Sequence, residues 1–255
     1  VEPRIGVSFT DAAGTPFFAR DADRPFYAAS TMKLAVLLAA SRRVAGGGLS
    51  LDEQIPVSRT FTGADGAPFV LSGDHLDPQL PAPGTPMTLA EMLDVMITRS
   101  SNEATNAVME RIGLSAVAEA ATAAGAGHMR VERLIGDPAA VVAGRTNEVT
   151  AVDLTTLLRA VTTGRVPGWD SPLPEDLVDR HLGALERQTI APIGRALAKG
   201  VRWGSKSGEV DGIRHDVAFV GDPATDAVRY LAVCTQGLGE AAADEAIATL
   251  TEALV

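Results

Sequence analysis

Cysteine occurs once in the 255 residues, at Cys234, so no internal disulfide can form. Its apolar, strand-like surroundings read as those of a small core residue. Histidine is scarce too. His75, His128, His181 and His215 form no helical H-x-x-x-H pair, which argues against a metal site and leaves no cofactor implied. Long apolar runs are missing: the longest, Leu34 to Ala40, is far below the roughly 20 residues a membrane helix needs. Basic residues (22) are outnumbered by acidic ones (32), and the net charge of −10 argues against nucleic acid or an anionic lipid surface as the main partner. The scarcest useful residue is lysine. There are only three, Lys33, Lys199 and Lys206, so arginine supplies the ordinary basic surface. Arginine stays protonated, whereas burial can drive lysine neutral and leave it a base.

At 46% apolar residues, the chain can bury a sizeable core and is most simply one domain over residues 1–255. Its ends read as strands. Ile5 to Phe9 alternates, Asp11-Ala12-Ala13-Gly14 turns, and Pro16 to Arg20 returns as a hairpin. Trp203–Asp211, Ile213–Val220 and Val228–Thr235 read as three strands, followed by an amphipathic helix from Ala241 to Leu254. The middle is helical. Ser30 opens a run ended by Arg42, Arg43 and three glycines, and Thr88 to Glu91 is a capping box. Helices follow at 102–112, 115–124, 150–163 and 174–188, while 57–87 and 133–150 read as loops. The expected fold is α/β (α+β): one antiparallel five-stranded sheet built from residues 1–30 and 201–255, with a mainly helical lobe, 31–200, inserted between.

Two of the three lysines lie in serine motifs, Ser30-Thr31-Met32-Lys33 and Lys206-Ser207-Gly208. Twelve serines and three lysines predict about 0.14 chance S-x-x-K matches, and about 0.04 K-[S/T]-G. A serine opening a helix with lysine three positions on shares a face with it, near unpaired N–H groups and positive potential. Such a lysine, kept neutral, could take the serine proton and make Ser30 a nucleophile. Ser100-Ser101-Asn102 falls in a break between helices, where a serine can relay a proton and an asparagine can bond a substrate amide. On its strand, Lys206-Ser207-Gly208 could hold a carboxylate while Gly208 admits substrate backbone. Taken singly, each motif also fits a plain structural role: a helix cap, a second cap, and an edge strand with a solvated lysine.

Together, in this order and on these elements, the motifs resemble those of the penicillin-recognising serine hydrolases, most closely the class A β-lactamases. The resemblance also takes in Tyr27 to Lys33, Ser100 to Gly113, and the closing strands. It implies an acylated nucleophile at Ser30, Lys33 as its base, and Ser100 as proton shuttle to the leaving nitrogen. It further implies Asn102 as a substrate-amide ligand, Lys206 and Ser207 as a carboxylate clamp, and an oxyanion hole from the N–H groups of Ser30 and Glu209. Arg214, on the neighbouring strand, either adds positive charge for that carboxylate or is simply solvated. The implied ligand is a small β-lactam or a peptide-like amide, and the protein is expected to act as a monomer. No charged-then-apolar leader opens the chain at Val1, but the resemblance implies work outside the cytoplasmic membrane.

Three positions depart from that pattern. Ser101 stands where class A enzymes usually carry aspartate. Glu209 follows Gly208 where a small residue is usual, and is expected either to repel a substrate carboxylate or to pair with Lys206. The E-x-x-L-N segment, whose glutamate drives water onto the acyl-enzyme, is absent between Arg133 and Thr150; Asp137 and Glu148 are the only acids there. Glu148 reads as a helix-start acid and Asp137-Pro138 as a turn. Acylation of Ser30 with slow deacylation follows as the expectation. The alternatives are a D-alanyl-D-alanine peptidase or esterase, a sensor that stays acylated, or an inert scaffold.

Overall fold

The computed structural model describes residues 2–255. Five strands form one antiparallel sheet: β1 (Arg4–Thr10), β2 (Pro16–Arg20), β3 (Trp203–Val210), β4 (Ile213–Val220) and β5 (Arg229–Gln236). Their order is β3-β4-β5-β1-β2, so the first strand pairs with the last, Arg4 opposite Gln236 and Thr10 opposite Tyr230. Both chain ends thus build one sheet, and β3 is left as an edge strand.

Between these strands run α1 (Lys33–Ala45), α2 (Leu89–Thr98), α3 (Asn102–Ile112), α4 (Leu114–Ala124), α5 (Pro138–Val142), α6 (Ala151–Thr163), α7 (Glu175–Glu186) and α8 (Pro192–Ala196); α9 (Glu240–Leu254) closes the chain. The beginnings of α2 and α6 follow from local chemistry. Thr88 with Glu91, and Thr150 with Asp153, are reciprocal capping boxes. No helix is long and apolar enough to cross a membrane among the described residues. The Leu34–Ala40 run instead makes α1 buried all round, as expected of a helix at the centre of a core.

Apart from β2, which is exposed throughout, the sheet is covered on both faces, so its strands bury alternate residues to opposite sides. Tyr230, Ala232 and Cys234 face the large core that holds α1 and α6, while Leu231 and Val233 join Val7, Phe9, Ala218 and Ile247 beneath α9. Tyr230 donates to or accepts from Thr162 at 2.9 Å, and Ser8 meets Thr155 at 3.0 Å, tying α6 to the sheet.

Several boundaries differ from the sequence expectations. Ser30 does not cap α1: residues Ala29–Met32 form a 3₁₀ turn and the α-helix starts at Lys33. The stretch 57–87 contains short strand pairs, Gln54–Pro56 with Pro86–Thr88 and Thr60–Thr62 with Pro68–Val70. Residues 133–150 contain α5, whose start is capped by Asp137, and Glu148 lies in a short strand rather than at a helix start.

Two histidines are buried neutral. His181 donates from Nδ1 to the Val161 carbonyl (3.0 Å) and accepts from Ser41 Oγ at Nε2 (2.7 Å). His215 accepts from the Thr235 N–H (3.1 Å) and donates to the Tyr27 carbonyl (2.9 Å). Burial pushes both down to about 4. Between pH 6.5 and 4 the unfolded chain therefore binds two protons that the fold refuses. Asp216, pushed up to about 7 by burial, opposes them by one. Stability should fall as pH drops through that window, by about one proton's worth. His181→Gln should lower the slope of the thermal midpoint against pH by about one proton, which scanning calorimetry at several pH values would read.

Candidate active site

A cleft of about 1140 Å³ lies between the β3 edge and the helical lobe. Its lining includes Ser30, Ser100, Asn102, Ser207, Gly208, Glu209 and Arg214. Lys33 and Lys206 lie behind that wall, both fully buried. All nine candidate site residues therefore converge on one place, from the 3₁₀ turn, α1, the α2–α3 break, α3, β3 and β4.

Ser30 is half-buried on the 3₁₀ turn, just after Ala29, which has φ of +45°. A non-glycine residue in that region costs about 1–3 kcal/mol and persists only where the surroundings enforce it. Here the Ala28 carbonyl accepts from both the Thr31 N–H (3.1 Å) and Thr31 Oγ1 (2.6 Å), while the Ala28 N–H is held by the Asn147 carbonyl (2.9 Å). The turn is pinned from both sides.

Ser100 has a φ of +60° in the break between α2 and α3. That backbone sends its hydroxyl towards the lysines while Ser101 caps α3 by accepting from the Ala104 N–H. Lys33 Nζ lies 2.7 Å from the Ser100 carbonyl, 2.8 Å from Asn102 Oδ1 and 3.1 Å from Ser100 Oγ. Lys206 Nζ reaches the same Ser100 Oγ at 3.2 Å and donates to the Ser207 carbonyl at 2.7 Å. The sequence placed the Lys33 amine on the Ser30 hydroxyl; its hydrogen bonds go to Ser100 and Asn102 instead.

Burial pushes Lys33 well below the ordinary lysine range, and the neighbouring Lys206 charge pushes the same way. Burial brings Lys206 down to about 7, against the pull of Asp216 and Glu209. A neutral Lys33 has two N–H donors and one lone pair. The donors suit the Ser100 carbonyl and Asn102 Oδ1, which leaves the lone pair to accept from Ser100 Oγ–H. The result is a hydroxyl suspended between two amines, a proton relay in geometry.

Gly208 explains how β3 comes so close. A Cβ there would sit 2.9 Å from both the Ser30 and Thr31 nitrogens. No side chain fits, so the edge strand packs its backbone directly on the serine turn. Gly208→Ala should push β3 off that turn and slow acylation of Ser30 by at least about tenfold with the fold retained. Stopped-flow acylation alongside a thermal melt would check it.

The model of the Beta-lactamase enzyme family matches residues 2–255. The chain belongs to that family. Solved β-lactamase structures superpose on nearly all of it. A β-lactamase from Sphaerobacter thermophilus is 27% identical, with a TM-score of 0.79 over 99% of this chain and 90% of that one. One from Xanthomonas campestris is 21% identical, with a TM-score of 0.81 over 99% and 91%. The protein PBP-A is 22% identical, with a TM-score of 0.77 over 98% and 88%. A search of curated proteins found no match.

Within this β-lactamase-family framework the loop 133–149 stands out. Asn106 grips Ile135 by both main-chain groups, each at 2.9 Å, and so presents Ile135 and Gly136 on the cleft wall. The two acids of the loop are engaged elsewhere. Asp137 accepts from the N–H groups of Ala140 (3.0 Å) and Ala64 (2.9 Å), and Glu148 pairs with Arg130 at 3.3 Å.

The sequence reading missed a buried acidic network behind Ser101. Glu103 accepts from the Asp77 N–H with both oxygens (3.2 and 3.1 Å), and Ser101 Oγ donates to it at 3.4 Å. Asp77 in turn pairs with Arg99 at 3.0 Å. Glu103 and Asp77 both favour the charged form of Lys33. Asn102 Nδ2 donates to the His75 carbonyl (3.2 Å), which fixes the amide that the resemblance assigns to substrate. Glu209 does not pair with Lys206. Its carboxylate meets Arg214 instead.

Proposed function

We propose that this β-lactamase-family protein is a serine hydrolase whose Ser30 is acylated by β-lactams or by related amides and esters. The observation that carries the reading is the Ser100 hydroxyl held between two buried lysine amines, beside a pinned serine turn on which an edge strand is packed. In acylation, Lys33 turns its lone pair away from Ser100 Oγ and takes the Ser30 proton as Ser30 Oγ attacks the carbonyl carbon. The N–H groups of Ser30 and Glu209 stabilise the oxyanion; each such donor is typically worth about 3–4 kcal/mol in the transition state. Ser100 then passes a proton to the leaving nitrogen and is reprotonated from Lys33. Asn102 orients the substrate amide. Lys206 acts from behind the wall, as a positive charge and as the second partner of Ser100.

Deacylation is slow in this reading, because both acids of the 133–149 loop are committed to structural contacts and Ile135 takes the place on the wall. That same observation favours a second reading, a peptidase, esterase or covalent sensor on this scaffold. A variant of PBP-A has been crystallised as an acyl-enzyme with penicillin G, which shows that this fold can hold such a species.

Incubation with a penicillin, followed by intact-mass spectrometry, tests the proposal. One molecule of penicillin should add to the protein and persist for minutes once the excess is removed. Neither adduct nor turnover, with the penicillin and with a carboxylate-free aryl ester alike, would overturn the hydrolase reading. Complete hydrolysis of nitrocefin at rates on the order of tens per second would overturn slow deacylation alone.

A further inference from the structure

Arg214 sits on β4 directly opposite Glu209 of β3, at the carboxylate-clamp end of the cleft. Its side chain is almost completely buried, at 8% exposure, and carboxylates meet its guanidinium on two sides. Asp244 of α9 accepts from Nε and, at 3.1 Å, from Nη2, in a two-pronged pair. Nη1 contacts Glu209 and lies 3.4 Å from Glu240. Three carboxylates therefore surround one cation, leaving a local charge of −2. A guanidinium has five donors in a fixed fork; three are hydrogen-bonded to carboxylates here and a fourth faces Glu240, so a carboxylate arriving from outside finds Nη1 already occupied.

The other groups at this end do not make up the loss. Ser207 Oγ accepts from Gln188 Nε2 at 3.3 Å and offers only a single neutral O–H, and Lys206 is buried behind the lining with its amine on Ser100 and the Ser207 carbonyl. Glu209 is itself half exposed to the cleft, at 46%. An incoming carboxylate would have to displace Glu209 from Arg214 and still face the like charges of Asp244 and Glu240.

We infer that Glu209 is a specificity-determining residue: it occupies Arg214 as an internal carboxylate, so that the cleft favours acyl donors whose leaving group carries no carboxylate, a penicillin's ring carboxylate slowing its acylation of Ser30 without preventing it. The inference rests on the proposed acylation of Ser30 and names the substrate class for it. In the reaction of such an ester, the Ser30 Oγ–acyl bond forms and the acyl–oxygen bond breaks. The Ser30 proton leaves with the phenol.

A matched pair of phenylacetylglycyl aryl esters tests it, one with a 3-hydroxybenzoate leaving group and one with its 3-hydroxybenzamide counterpart. The wild type should acylate with kcat/KM at least tenfold higher for the amide member. Glu209→Gln frees Nη1 of Arg214 and should shrink that ratio at least tenfold; Glu209→Ser should do the same and guards against a folding artefact of one variant. Binding of the same two esters to Ser30→Ala, with and without Glu209→Gln, gives a readout that needs no chemistry. If wild type turns over neither ester while the binding preference and its shift are present, the hydrolase reading fails and the role of Glu209 stands. Equal binding of both esters, a carboxylate preference, or a ratio unmoved by both Glu209 variants overturns the inference.

Discussion

Ser30→Ala is expected to leave no penicillin adduct on the intact protein and to cut any turnover by at least about 10³-fold. The residue is half-buried on a turn whose hydrogen bonds come from Ala28, Thr31 and Asn147, so losing one hydroxyl should leave the fold intact. No second nucleophile is equivalent. Ser100 Oγ is shared between Lys33 and Lys206, Ser101 Oγ is spent on the α3 cap, and Ser207 Oγ is engaged by Gln188. Intact mass after a penicillin soak, with a melting curve for each protein, reads the outcome. An adduct of undiminished yield on Ser30→Ala would place the nucleophile elsewhere and end the proposed mechanism.

Ile135→Glu should speed release of the acyl group by about 10²–10⁴-fold, the range over which a positioned acid–base group acts. Asn106 holds Ile135 through its main chain alone, so the substitution leaves that grip in place. Ile135 is half-buried on the cleft lining, where a carboxylate can keep part of its hydration. The decay of the penicillin adduct, timed by mass spectrometry in wild type, Ile135→Glu and Ile135→Gln, measures the effect. Equal lifetimes for all three would show that a carboxylate on this wall cannot reach the ester. Acceleration by glutamine as well as glutamate would point to altered loop packing rather than a base.

What could be read from the residues was whatever local chemistry dictates. β4 was placed with the observed bounds, Ile213 to Val220, because Gly212 and Gly221, with φ of +70° and +97°, end it on both sides. α2 and α6 were announced by capping boxes whose partners lie three residues apart. The candidate site was legible because its lysines are so few and each stands beside a serine. The remainder depends on contacts between distant residues with no local signature. Glu103 meets Asp77 across 26 residues and Asn106 meets Ile135 across 29. Arg214 finds Asp244 on a helix that reads, by periodicity, only as a cover for the sheet. The short helices α5 and α8 each begin at a proline inside stretches rich in turn residues, too brief for a 3.6-residue period to emerge. The 3₁₀ turn under Ser30 is hidden for a further reason: its strained Ala29 is enforced by Asn147 and β3, neither of which is near it in sequence.

The pairing of β1 with β5 has a consequence for biosynthesis. About 220 residues separate β1 from β5, so during translation the opening hairpin must wait for nearly the whole polypeptide before its partner strand exists. Until then its apolar edge stays open to other nascent chains, a hazard best met by a chaperone or by delayed collapse. The serine turn meets Gly208 only when β3 docks on it, and β3 joins β1 only through β4 and β5, so the site is assembled last.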